Sequence, residues 1–436
     1  MWIDAICIDQ NNEQERSEQV QRMGQIFLLA SRVVAWLGPS FPGSCLALRT
    51  LARIGWQVEL TKDNYLLPTP QCSHPDWVKF ETRLPVGANE LAALSQLCGL
   101  EYFERLWVIQ ELHLASARSV VRCGNDGIPW PLFRREILCI LAKEQETTRT
   151  RCHVIRVANM SRWFQNIPMH KIIYLCRHRK CVDDRDRVYA VMNLLHPAVS
   201  KCIVVDYSRP AIDAFKQVFL VFLGQEQRLT QLKYARLRHL PRSSKTSSLS
   251  SEVWPTWLPN WSKHIRLTAP LEMTFSASGI SAARAKNMPP GRLEITGLCF
   301  ATVSIVHPPL RSSSKVLTDI VEMLNGLGLE QLQSSKYTTG ETLLDVYLCT
   351  IVGGSIKDRV PGLPFPRLTE LRDEVTSLAI HTESPEESKL PEFYRFKVRD
   401  QTVGACIFEM LNGYVGVLIG NPRPGKHTYR IITQAY

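Results

Sequence analysis

The spacing of apolar positions changes several times along the first 145 residues, and each change marks an element. Trp2 to Ile8 is a short apolar run rich in β-branched residues and interrupted by Asp4, a pattern that predicts a buried strand. Asp9, Gln10, Asn11 and Asn12 then form a polar loop able to cap a helix. From Glu13 onward Val20, Met23, Ile26, Phe27 and Ala30 recur at helical spacing, with Glu15, Arg16, Glu18 and Arg22 elsewhere on the wheel. Arg32 to Leu37, stopped by Gly38 and Pro39, reads as a second strand. Strand, helix, strand over this length predicts a right-handed parallel βαβ unit.

Residues 44 to 60 and 88 to 99 read as further helices, with a proline-containing loop between them. Arg105 to Ala115 reads as a helix, Ser119 to Cys123 as a strand, and 130 to 143 as another helix. This alternation predicts an α/β domain over residues 1–145. Residues 146–240 read as mainly helical; within them Asp183 to Leu195 opens on acidic residues suited to a helix N-terminus. Residues 241–253 are Ser-rich and read as a linker. Trp254 to Trp261 holds three tryptophans and two prolines, so it is not regular helix and is expected to pack on a neighbouring segment. Arg292 to Val306 and Gly413 to Ile419 suggest that residues 254–436 form a C-terminal α+β region.

Composition narrows the class. Of 436 residues 45% are apolar and 21% charged, which suits a globular chain with a sizeable core and excludes a mainly disordered one. No apolar run is long enough to span a bilayer, and the N-terminus lacks the layout of a secretory signal, so the expected location is cytoplasmic. The net charge of +11 is spread along the chain, concentrated only at Arg177 to Lys180 and Arg228 to Arg242, so a specific nucleic-acid partner is not expected. The 13 cysteines form no disulfide framework or CxxC pair. Cys176, His178 and Cys181 approach a metal spacing, but the basic residues between them would oppose a cation, so no metal and no bound cofactor is expected.

The usual phosphate-loop, dinucleotide, zinc-protease and serine-hydrolase motifs are absent, so any chemistry rests on isolated polar residues gathered by the fold. Glu111 stands on a helix with Trp107 and aliphatic residues for neighbours; such a carboxylate can stabilise a cationic transition state, or can simply tie the helix down together with Arg105. Asp4, inside the first apolar run, can face a ligand or anchor a loop.

Several blocks together resemble the heterokaryon incompatibility (HET) domain of filamentous fungi. They are Trp2-Ile-Asp-Ala-Ile-Cys-Ile-Asp-Gln10, Glu15-Arg16, Gln19-Val20, Met23, Ala30, Val34-Ala-Trp-Leu-Gly38 and Tyr102-Phe-Glu-Arg-Leu-Trp-Val-Ile-Gln-Glu111. Asp184 to Tyr189, Val205-Asp-Tyr-Ser208 and Trp254 to Trp261 resemble the region that follows this domain. The resemblance implies a cytoplasmic module of fungal non-self recognition and programmed cell death, partnered by itself or by other incompatibility proteins. The family is also distantly similar to TIR domains, which implies a TIR-like parallel sheet with flanking helices. Some TIR domains cleave NAD at the nicotinamide–ribose bond with a glutamate, and by this likeness Glu111 is the catalytic candidate. Asp4, Asp9, Gln10, Arg105 and Trp107 are then the candidate substrate-binding residues, with NAD as substrate rather than cofactor. The family's first strand and its Ser-Tyr-x-Trp-Gly block have no counterpart before Met1, so the expectation is a shortened or degenerate copy. The competing class is a non-enzymatic module that signals by self-association.

Overall fold

The computed structural model describes residues 1–61, 65–79, 82–141, 148–161, 167, 172–173, 175–235, 254–262, 282–296, 303–306, 316–337, 339–351, 356, 358, 367–380, 405–410 and 415–419. The chain divides into two compact units, one of Met1–Glu226 with Leu249–Ile265 and one of Gln227–Ser248 with Arg266–Tyr436.

The first unit opens with a correction. The Trp2–Ile8 run is not a strand: Asp4–Cys7 forms a one-turn helix, α1, in which the Cys7 amide donates to the Ile3 carbonyl at 2.8 Å and the Ile8 amide to Asp4 O at 3.1 Å. A short apolar run carries no period that separates strand from helix, so burial decides. Here Ile8 is buried while Ile6 is 78% exposed, which is not the environment of a central strand. Trp2 instead packs edge-on against Phe27, with ring centroids 5.6 Å apart.

The helix after the loop forms as its pattern requires. In α2 (Glu13–Leu29), the Asn12 side chain accepts from the amides of Gln14 and Glu15, both at 3.1 Å, and Val20 and Met23 are buried. The chain then enters β1 (Val34–Trp36), continues through α3 (Ser44–Gly55), and forms a hairpin of β2 (Val58–Leu60) and β3 (Leu66–Pro68). The helix expected to reach residue 60 therefore stops at Gly55; the antiparallel partner at 66–68 captures Val58–Leu60 as strand. Next come α4 (Ala88–Cys98), α5 (Val108–His113), β4 (Val120–Cys123), β5 (Asp126–Pro129), α6 (Trp130–Leu141) and α7 (Thr148–Ser161).

Sheet order is β1-β4-β5. β1 runs parallel to β4, with Val34 opposite Val120 and Trp36 opposite Arg122, and β5 turns back antiparallel on β4. The fold class is thus α/β with a parallel pair and flanking helices, as the pattern predicted, but the parallel partner of β1 lies at residue 120 rather than at the N-terminus. The core under the sheet is built from Ala47, Leu51 and Ile54 of α3, Leu94 and Leu97 of α4, Phe103, Ile109, Phe133 and Ile137, all fully or almost fully buried.

The remainder of this unit is helical: α8 (Asp186–Met192), α9 (Pro197–Ser200) and α10 (Ala211–Glu226). The tryptophan segment packs on α10 as expected. Phe215 meets Trp254 and Trp261 at centroid distances of 5.7 and 5.1 Å, and Phe219 meets Trp257 at 5.0 Å.

The second unit carries the β6–β7 hairpin (Arg284–Met288, Arg292–Thr296) and an antiparallel sheet of order β10-β9-β8, from Val415–Ile419, Ala405–Met410 and Val303–Val306. Helices α11 (Val316–Gly326), α12 (Leu329–Ser334), α13 (Leu343–Ile351) and α14 (Leu368–Ile380) share a core around Leu324, Leu344 and Tyr347. Arg372 of α14 grips the Asp345 carboxylate with two hydrogen bonds of 2.8 and 3.0 Å. The linker expected at 241–253 and the residues after 419 lie outside the described residues.

Candidate functional site

Helix α5 places Glu111 and Trp107 at two different junctions. Its buried residues Val108, Ile109 and Leu112 fix it to the core, leaving Glu111 half-buried at its margin. The short 3-10 turn Glu101–Glu104 just before it carries Tyr102, whose hydroxyl donates to Glu111 Oε2 at 3.2 Å. Burial pushes the Glu111 carboxyl above the usual glutamate range; the Arg105 guanidinium and the Tyr102 hydrogen bond oppose the rise, and the Asp4 carboxylate adds to it. Burial, with the neighbouring Glu111 charge, also holds the Tyr102 phenol far above its ordinary value, so it stays a donor.

The structure thus gathers three of the sequence candidates, Asp4, Arg105 and Glu111, into one electrostatic cluster and adds Tyr102 to it. Arg105 is exposed, so its guanidinium is free to meet an anion in solvent. Asp9 and Gln10 are placed otherwise. Asp9 Oδ1 accepts from the Asn11 amide at 3.0 Å and the Asp9 amide donates to Glu15 at 3.2 Å, which makes it part of the cap of α2. Gln10 Nε2 donates to the Asp4 carbonyl at 3.3 Å and so braces α1.

Trp107 serves the second junction. Its indole Nε1 donates to Asp186 Oδ2 at 3.2 Å, and the Tyr207 hydroxyl donates to Asp186 Oδ1 at 2.5 Å. Arg16 of α2 lies 3.7 Å over the Tyr207 ring and pairs with Asp183 at 3.3 Å. Arg185 binds the same Asp183 at 2.7 Å and also donates to the Tyr207 carbonyl. Burial pushes the Asp186 carboxyl up, against the pull of its two hydrogen-bond donors. Gln110, fully buried, crosses the same junction: with its amide oriented to satisfy both ends, it donates to the Ala190 carbonyl at 3.2 Å and accepts from the Gly24 amide at 2.8 Å. Gly24 has to lack a side chain, because a Cβ there would sit 2.4 Å from Asn193 Cγ. The blocks at 15–24, 107–111, 183–190 and 205–208 therefore converge on one polar junction between α2, α5 and α8. Sequence reading gave Asp186 and Tyr207 no role; the signal available was the acidic opening of 183–186.

The basic stretch at 177–180 turns out to be structural wiring. Buried Arg179 donates to the Phe103 carbonyl at 2.5 Å and to the Arg156 carbonyl at 2.6 Å, while Lys180 and Arg156 both pair with Glu104, at 2.5 and 2.7 Å. Burial pushes the thiols of Cys176 and Cys181 up to about 12 and about 11, so both are protonated at neutral pH and neither is a ready metal ligand.

Comparison with known proteins follows the same residues. The family model described as heterokaryon incompatibility protein (HET) matches residues 1–111. Heterokaryon incompatibility protein 6, OR allele, of Neurospora crassa is 26% identical over 352 residues, covering 70% of this chain and 51% of that protein. The chain spans about half the length of the curated relative it matches. No solved structure matches. The heterokaryon incompatibility resemblance is thus shown, by the family model over residues 1–111 and by the Neurospora relative over 70% of the chain.

Proposed function

We propose that this protein acts in fungal heterokaryon incompatibility as a cytoplasmic effector of cell death after non-self recognition, with NAD cleavage at the Glu111 cluster as its chemistry. The observation that carries the reading is the HET match over residues 1–111, within which the half-buried Glu111 carboxyl accepts from Tyr102 and feels the charges of Arg105 and Asp4. The TIR likeness lends it less than expected, because α1 stands where that likeness requires a strand.

In this reaction water adds to the anomeric carbon of the nicotinamide-bearing ribose as the C–N bond breaks. The bonding pair leaves with nicotinamide, which departs neutral, and the water gives up its proton to solvent. Ionised Glu111 stabilises the positive charge that develops on the ribose. Arg105, exposed beside it, is suited to a phosphate oxygen of the substrate.

The test is expression of the chain and of Glu111→Gln in a fungal host, with viability and nicotinamide release from NAD followed together. The Gln variant is expected to accumulate normally and to lose about a hundredfold or more of the rate, together with killing. Killing by the Gln variant at full strength would mean that death proceeds through association with itself or other incompatibility proteins, without chemistry at α5. A chain that leaves growth normal at high expression overturns the effector reading as a whole.

A further inference from the structure

Both faces of a sheet containing a parallel pair are normally covered, and among the described residues here only one is. Val33, Ala35, Leu37, Val121, Cys123 and Ile128 are buried against the helices. The register fixes what lies on the opposite face: Val34 beside Val120, Trp36 beside Arg122, and Arg122 in turn beside Gly127. Val34 is 47% and Trp36 52% exposed, and Arg122 is exposed too. Arg32, two residues before β1 begins, and Arg118, in the turn that leads into β4 and is closed by the Ser119 amide on the Ser116 carbonyl, are both exposed beside the starts of these strands. Gly127 keeps the centre flat, since a Cβ there would come within 3.3 Å of Arg122 Cγ.

We propose that this open face, Val34, Trp36 and Arg122 with Arg32 and Arg118 beside the strand starts, docks on an anionic lipid surface. The argument is charge complementarity joined to apolar exposure. Arg122, whose paired positions hold Trp36 and Gly127, attracts an anionic headgroup layer together with the exposed Arg32 and Arg118, and a tryptophan on the same face as Val34 and Val120 suits the boundary between headgroups and acyl chains. A second copy seated face to face would bring the two sets of arginines against each other. Single-stranded nucleic acid stacks its bases on aromatic platforms, and this face offers one aromatic ring among aliphatic residues. Among the described residues no helix is long and apolar enough to cross a membrane, so the attachment is peripheral. The face shares no residue with the Glu111 cluster, so either reading can fail without the other.

The test is co-sedimentation of the full chain with phosphatidylcholine vesicles and with vesicles that also contain phosphatidylserine. Binding is expected to the mixed vesicles alone and to weaken as salt rises. Each basic residue near the surface contributes roughly fivefold in partitioning, so Arg32→Glu, Arg118→Glu and Arg122→Glu combined should abolish it. Trp36→Ala should weaken binding severalfold, whereas Trp56→Ala, at a ring 62% exposed elsewhere, should leave it unchanged. All five residues are on the surface, and circular dichroism of each variant checks that it folds. Absence of binding to either vesicle, equal loss with Trp56→Ala, a dimer that the Trp36 change dissolves, or tighter capture by single-stranded RNA than by vesicles would each overturn the proposal.

Discussion

The two ends of α5 hold carboxylates under opposite regimes. At the Trp107 end, Asp186 receives hydrogen bonds from an indole and a phenol, and the phenol's ring is itself covered by Arg16. At the Glu111 end, a half-buried carboxyl receives one hydrogen bond, from Tyr102. An ionised carboxylate has room for about four donors, so Glu111 keeps most of its accepting capacity, whereas Asp186 has each oxygen engaged. The lesson is that burial alone does not mark a working residue. The carboxylate with both oxygens engaged anchors the helix, and Glu111 keeps the larger unused accepting capacity.

Removing the anchor should produce the largest effect. Asp186→Ala strips acceptors from Trp107 and Tyr207 at once and leaves Arg16 and Arg185 to Asp183 alone, so unfolding free energy should fall by about 3–5 kcal/mol. Urea denaturation measures it. A loss below about 1 kcal/mol would put the anchoring elsewhere, with Gln110 the next residue to test.

Glu136 of α6 supplies the missing third case, a carboxyl buried with no partner. It is fully buried, neither oxygen is hydrogen-bonded, and burial holds it well above the ordinary glutamate range despite the Arg53 charge, with the Glu90 charge adding to the rise. The folded protein keeps this proton after the unfolded chain has lost it. Its contribution to stability is therefore full below the unfolded pKa and is lost as pH rises toward the folded one. Glu136→Met, similar in volume and without charge, should raise stability at neutral pH by about 1–3 kcal/mol and flatten the decline with pH. Thermal melts at acid and neutral pH check both; a variant with an unaltered pH slope would locate the proton on another group.

Legibility followed the range of the interactions. Helix α2 was readable because its cap, Asn12, and its buried stripe, Val20 and Met23, lie within one short stretch. β1, β4 and α6 were readable for the same reason, from local apolar runs. The pairing of β1 with β4 was not, since 86 residues separate Val34 from Val120 and nothing in either run names its partner. α1 was misread because Ile3 and Ile6 look like core and are on the surface. The same divide runs through the site. Glu111 feels the charges of Arg105 and Asp4, whereas Trp107 hydrogen-bonds a carboxylate 79 positions along the chain and Asp9 belongs to the cap of α2.

The finest test works on the unsaturated end itself. Tyr102→Phe removes the one hydrogen bond to Glu111 and little else, so its cost to stability should be about 0.5–1.5 kcal/mol. Its informative effect is on protonation. The hydrogen bond favours the ionised carboxylate, so losing it lets burial push the Glu111 carboxyl higher still. Asp4→Asn works in the opposite sense, because the Asp4 charge is one of the forces holding that carboxyl up. Carbon NMR of labelled glutamate should show the Glu111 titration moving to higher pH in the first variant and lower in the second. Where NAD cleavage is measured, its acid limb should follow the same two directions, since the ionised form is the active one. If the titration moves and the rate profile does not, Glu111 is a titrating structural residue. If neither moves, Tyr102 and Asp4 are not electrostatically coupled to Glu111, and the contrast between the two ends of α5 is one of burial alone.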